Sequence, residues 1–102
     1  MIKLVVFDLW NTLIFHSDNG ISVFAHAIPM LKRLRAQRIK TGLITNSGKL
    51  AIEEIKKRTE ILKHIDYPFF SFETGLSKPD VRIFKEALRA AKCEPHEALM
   101  IG

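Results

Sequence analysis

Apolar residues along this chain fall into short unbroken runs and helical stripes, and their alternation predicts a strand–helix order. Ile2 to Phe7 is apolar apart from Lys3, the pattern of a strand covered on both faces. Asn11-Thr12 turns the chain, and Ile14 to Phe24 holds two short apolar arms around Asn19-Gly20, a strong hairpin signal that predicts a small β-flap. Pro29 suits a helix start, and Ala27, Met30, Leu31 and Leu34 repeat at the spacing of a buried face, so a helix is expected to run to about Arg38. Ile39 to Thr45 is the second strand. Asn46-Ser47-Gly48 is a turn able to cap a helix reaching Arg58, with Ile52 and Ile55 inward. A short helix from Ile61 to Ile65 leads to a third strand near Phe69 to Phe72, bounded by Pro68 and Gly75. Pro79-Asp80 opens a long helix whose stripe is Phe84, Ala87, Leu88 and Ala91, and Glu94-Pro95-His96 ends it before a fourth strand, Ala98 to Ile101.

Strands alternating with helices imply right-handed crossovers and a parallel sheet with helices on both faces, an α/β fold with a flap attached. At 102 residues the chain is one domain, 1–102, with room for a real core but small for a complete doubly wound enzyme. A parallel strand normally feeds a further covering helix, so the core is expected to be incomplete after the fourth strand.

Composition narrows the function by exclusion. No apolar stretch approaches the ~20 residues of a membrane span, and Met1-Ile2-Lys3-Leu4 enters the first strand without the pattern of an export signal, so the cytoplasm is expected. Cys93 is the single cysteine, which rules out an internal disulfide and a multi-cysteine zinc site. The net charge of +5 raises the question of nucleic acid. Its cations, however, lie between apolar helix positions (Lys32, Arg33, Arg35, Arg38) or at a helix end (Lys56, Lys57, Arg58), without interleaved aromatic residues to stack bases. A solvated surface with a mild attraction for anionic substrates is the expectation, and no nucleic acid.

Candidate chemistry begins at Asp8, a carboxylate that ends a buried strand where open α/β sheets bind ligands. Thr45 ends the second strand and brings a hydroxyl, with the Asn46 amide beside it at a helix start disposed toward anions. Lys78 precedes another helix start, where an ammonium suits the helix dipole poorly and a compensating anion is expected. A carboxylate nucleophile, a hydroxyl donor and an ammonium are what handling a phosphoryl group requires. His16, His26, His64 and His96 show no spacing suited to metal binding or nucleophile activation and are expected at the surface or in packing, and Ser47 and Cys93 lack a paired base.

Four segments in order carry a resemblance: Phe7-Asp8-Leu9-Trp10-Asn11-Thr12-Leu13, Leu43-Ile44-Thr45-Asn46, Gly75-Leu76-Ser77-Lys78-Pro79-Asp80 and Leu99-Met100-Ile101-Gly102. Together they resemble the motifs of the haloacid dehalogenase-like hydrolase superfamily. The resemblance implies a Rossmann-like sheet, Asp8 as nucleophile with Lys78 as the second catalytic residue, Thr45, Asn46 and Lys78 on the substrate, and Mg²⁺ held by Asp8 and the Trp10 backbone carbonyl. The reaction it implies is hydrolysis of a phosphate ester through an aspartyl-phosphate. The fourth motif stops just before its metal-binding acid, so the 102-residue form is expected to be inactive and to self-associate through an exposed sheet edge.

Trp10 departs from the pattern. Phosphatases of this family carry a second aspartate there as general acid, and an indole cannot serve; such an acid contributes ~10²–10⁴-fold. Dehalogenases of the family also have an aromatic residue at that place, because a halide leaves without a proton. The insert lengths leave no room for a cap, so the site is expected to be open, which counts against a small-acid dehalogenase that excludes water under a lid. Alternatives are a non-catalytic binding protein of the same family and, on Asp, Thr and a Lys-Pro pair, a response-regulator-like phosphoacceptor; the latter lacks its acidic pair, since Leu9 and Trp10 stand there.

Overall fold

The strand β1 (Leu4–Phe7) is the axis of the computed structural model, which describes all residues from Met1 to Gly102. Its side chains alternate between two apolar layers. Val5 and Phe7 face a cluster of 13 buried residues, and Leu4 and Val6 face a second cluster of five. Two flap strands follow, β2 (Ile14–Ser17) and β3 (Gly20–Val23), paired antiparallel. Asp18 and Asn19 form the tip, and the positive φ of 106° falls on Gly20, which only glycine adopts without strain. The flap is fastened to the end of β1, because the Leu9 carbonyl accepts N–H bonds from Thr12, Leu13 and Ile14 and the Phe24 N–H donates to Leu13.

Helix α1 (Ala27–Ala36) packs Ala27 and Leu31 into the larger cluster. Pro29 is its third residue rather than its start, tolerated because a first-turn N–H has no intrahelical acceptor. The strand β4 (Lys40–Thr45) and helix α2 (Lys49–Arg58) follow, the latter burying Ile52 and Ile55. A 3₁₀ turn, Ile61–His64, leads to β5 (Tyr67–Phe70). The sequence pattern places that strand two residues later. Asp66 sets the register instead: its N–H donates to the Thr41 carbonyl, and its carboxylate accepts the Thr41 N–H at 2.9 Å and hydroxyl at 3.2 Å, so Tyr67 pairs with Gly42. Pro68 lies inside the strand, which an edge strand tolerates. Ser71–Thr74 forms one helical turn, α3, closed by Gly75 at φ 74°.

Helix α4 (Val81–Ala91) is capped by Asp80, whose side chain accepts the Arg82 N–H, and it buries Ile83 and Ala87 in the smaller cluster. A 3₁₀ turn, Pro95–Glu97, precedes β6 (Ala98–Ile101). The four long-range strands are all parallel, in the order β5-β4-β1-β6, with α1 and α2 on one face and α4 on the other. The expected α/β sheet covered on both faces is what forms. On β6, Leu99, Met100 and Ile101 are exposed, and its outer edge has no strand partner. Between β3 and β4 stands α1, and between β4 and Lys78 only α2, β5 and short turns, so no second domain is inserted within these residues. No helix is long and apolar enough to cross a membrane.

Parallel strands in this register bring their carboxyl ends to one edge. Asp8 follows β1, Thr45 ends β4, Gly102 follows β6, and Lys78 lies between α3 and α4. Truncating Ile83, fully buried in the smaller cluster, to alanine is expected to cost about 3 kcal/mol, measured as a lower denaturant midpoint at unchanged m value. The Arg82 guanidinium, and then its N–H, hold the Asp80 carboxyl down at about 2. A depressed carboxyl stabilises the fold above its unfolded-state range and loses that contribution as pH falls through its folded value. Asp80→Asn should therefore be less stable than the parent at neutral pH and match it near pH 2, as followed by thermal melts.

Candidate active site

A carboxylate leaving the end of a parallel strand meets the first turns of neighbouring elements, and Asp8 meets them within hydrogen-bond reach. Its Oδ1 accepts the Leu9 N–H at 2.8 Å and lies 2.9 Å from the Lys78 ammonium, which leaves Oδ2 without a protein partner. Both side chains are about one third exposed, 36% for Asp8 and 27% for Lys78, so solvent reaches them. The anion that the position of Lys78 calls for is Asp8 itself.

The Lys78 loop is held by a residue from the neighbouring strand end. Asn46 Oδ1 accepts the Lys78 N–H at 2.9 Å, and its Nδ2 donates to the Lys78 carbonyl at 3.2 Å. The side chain is thus a two-point clamp on the loop. The Asn46 backbone N–H has no acceptor within the chain and is free for an anion, beside the start of α2.

Thr45 is 2% exposed, and its hydroxyl is oriented by a relay. The Trp10 indole N–H donates to Ser47 Oγ at 3.1 Å, Ser47 Oγ lies 2.8 Å from Thr45 Oγ1, and the Ser47 N–H also donates to Thr45 Oγ1 at 3.2 Å. A serine hydroxyl that accepts the indole proton can turn its own toward Thr45, which frees the Thr45 proton to point elsewhere. Ser47 thereby caps no helix; Gly48 occupies the cap position of α2, with extended backbone and no side-chain bond.

Asp8, Trp10, Thr45, Asn46 and Lys78, the five residues singled out by sequence, line one open cleft of about 580 Å³ together with Ser47 and Ala51. His16 lines it too: it is exposed, as expected of a surface or packing residue, and its ring stacks on Trp10 at 4.1 Å between centroids and 14° between planes. The signal was strand alternation. Ile14 is fully buried, so His16, two residues on, points to the same side of the flap. Gly102 was also undervalued. At φ 116°, a Cβ there would lie 2.7 Å from the Asp8 Cβ and 2.8 Å from Thr12 Oγ1, so only glycine lets β6 pass so close to the turn that follows Asp8.

Two chain groups are available to a cation, the Asp8 carboxylate and the Trp10 carbonyl, which accepts no hydrogen bond. Nowhere do three or more His, Cys, Asp or Glu side chains gather. A set of one carboxylate and one carbonyl fits Mg²⁺ in the mode in which waters and a substrate phosphate complete its octahedron, and fits no all-protein cage.

A family model described as haloacid dehalogenase-like hydrolase matches residues 15–102. The chain belongs to this family, a family of enzymes. Among curated relatives, a glyceraldehyde 3-phosphate phosphatase of Pyrococcus furiosus is 35% identical over 71% of this chain and 30% of its own length. The haloacid dehalogenase-like hydrolase domain-containing protein 3 of Mus musculus is 35% identical over 86% and 35%. This chain thus spans about a third of the length of the curated relatives it matches. A solved family enzyme of Bacteroides thetaiotaomicron, in complex with magnesium and inorganic phosphate, superposes with a TM-score of 0.83 at 13% identity, over 98% of this chain and 84% of its own, a likeness of fold.

Because Asn46 Oδ1 is the acceptor for the Lys78 N–H, Asn46→Ala should speed exchange of that amide while leaving the buried amides of β1 protected. Residue-resolved hydrogen exchange by NMR reads both at once.

Proposed function

We propose that this chain carries the catalytic core of a phosphate-ester hydrolase in which Asp8 is the nucleophile. The observation that carries the reading is the 2.9 Å pairing of Asp8 with Lys78 at the carboxyl edge of the sheet, with Oδ2 unengaged and the Thr45 hydroxyl and Asn46 N–H lining the same cleft. The phosphatase names of its relatives, among them a phosphoserine phosphatase of Thermus thermophilus at 28% identity, support the same reaction class.

In this reading the phosphoryl oxygens accept from the Thr45 hydroxyl, the Asn46 N–H and the Lys78 ammonium. Asp8 Oδ2 bonds to phosphorus, and the ester P–O bond breaks with its electron pair on the leaving oxygen. Lys78 meanwhile stays on Oδ1, aiming the carboxylate and offsetting the charge that gathers on the transferring group. Water then attacks phosphorus, gives its proton to solvent and releases Asp8 and inorganic phosphate. Mg²⁺ on Asp8 and the Trp10 carbonyl would neutralise phosphoryl charge when bound. Asp8→Asn keeps the shape of the side chain and removes the nucleophile, so in a version of the chain extended through the fourth motif turnover of a phosphate monoester should vanish while the melting temperature holds. Unchanged turnover would overturn the covalent route.

Trp10 favours one other reading, a phosphate-binding protein of this family without turnover, because no acid stands where a leaving oxygen would be protonated. A single substitution separates the two. Trp10→Asp should raise turnover of alkyl phosphates by about 10²-fold and of activated aryl phosphates far less, since only the former need the proton. A parent and variant that bind phosphate and turn over neither substrate would establish the binding role.

A further inference from the structure

Part of the lining of the cleft that holds Asp8 and Lys78 is aromatic. Trp10 is held by its indole N–H on Ser47 Oγ, and His16 lies parallel on it, on a flap that Leu9 and Leu13 fasten to the end of β1. The indole cannot swing away without breaking its bond to Ser47, and the imidazole is placed by its stack on the indole. His16 is exposed, so the imidazole, with one face on Trp10, leaves ring surface open to the cleft. Asp8 and Lys78 are the only carboxylate and ammonium lining the cleft, and both are committed to the phosphoryl group in the reading above. Apart from the His16 imidazole, which is stacked on Trp10, no side chain there remains to pair with a charged leaving group or to protonate a basic one.

Resting on that reading, we propose that the cleft takes phosphate monoesters of planar aromatic alcohols, with the aryl group lying against the Trp10–His16 pair. The two features meet in one substrate class. A fixed ring pair favours another flat ring by offset stacking. An aryl oxygen leaves with its electron pair spread over the ring, so the P–O bond breaks without a general acid, and the aryloxide takes its proton from water afterwards. An alkyl phosphate gains from neither. Stacking asks only for a π-face, which makes the selection one of class, not of a single compound.

The test uses phosphonates, which keep the phosphoryl charge and cannot be cleaved at the ester oxygen. Phenylphosphonate and cyclohexylphosphonate match in size and differ in flatness, and methylphosphonate and inorganic phosphate carry no ring. Binding to the chain is measured by calorimetry with Mg²⁺ present, and by quenching of Trp10, its single tryptophan. Phenylphosphonate should bind about fivefold tighter than cyclohexylphosphonate. His16→Ala should bring that ratio close to one, and His16→Phe, which restores a flat ring, should keep it. Equal affinities for the two in the parent, or a ratio that survives His16→Ala, would overturn the aryl selection while binding of phosphate and methylphosphonate left the phosphoryl reading standing. Failure of all four ligands to bind would overturn that reading and the aryl selection with it.

Discussion

Strand β1 is hydrogen-bonded along both edges and covered on both faces, so its four residues cannot shift without disturbing both apolar layers at once. A one-residue slip would exchange Val5 and Phe7 for Leu4 and Val6 between clusters of unequal size. That constraint fixes where Asp8 emerges. Parallel pairing with β4 and β6 then carries the same certainty sideways, because Phe7 lies opposite Leu43 and Ile101, and Thr45 and Gly102 follow at nearly the same height. The cleft is a by-product of register: residues distant in sequence meet because three strands end together.

Trp10 shows how one residue serves several layers. Its ring packs against the larger apolar cluster, its N–H starts the relay that orients Thr45, and its outer surface carries His16. Standing there, it gives the cleft an ordered hydroxyl and an aromatic surface. The relay and the wall depend on the indole together, since replacing it removes the donor to Ser47 and the support under His16 in one step.

Much of this was legible in the chain beforehand, because the deciding signals are local. The apolar run Leu4 to Phe7 that stops at Asp8, the Asn-Gly hairpin, and Lys78-Pro79-Asp80 before a striped helix each state their element by pattern alone. The pattern failed where a distant side chain decided. The position of β5 follows from Asp66 on Thr41, a bond across 25 positions, and Asn46 and Ser47 take tertiary partners in place of the capping role their residue types favour. His16 was legible only by counting alternation from Ile14 across a four-residue strand. Gly102 required knowing that β6 runs beside β1, since its need for a bare Cα comes from Asp8 and Thr12, neither of them near in sequence.

The two apolar layers are unequal, 13 buried residues under α1 and α2 against five under α4. Cooperative units with less buried apolar contact open more often, so α4 is expected to open more readily than α1 and α2. Lys78 stands just ahead of that helix, joined to the rest of the site by Asn46 and by Asp8. An excursion of α4 therefore takes the ammonium away from the carboxylate, and any anion that bridges the two draws the excursion back. Occupancy of the cleft and rigidity of the thinner layer become a single linked equilibrium, in which a ligand touching only loop residues is felt as order along a helix it never contacts.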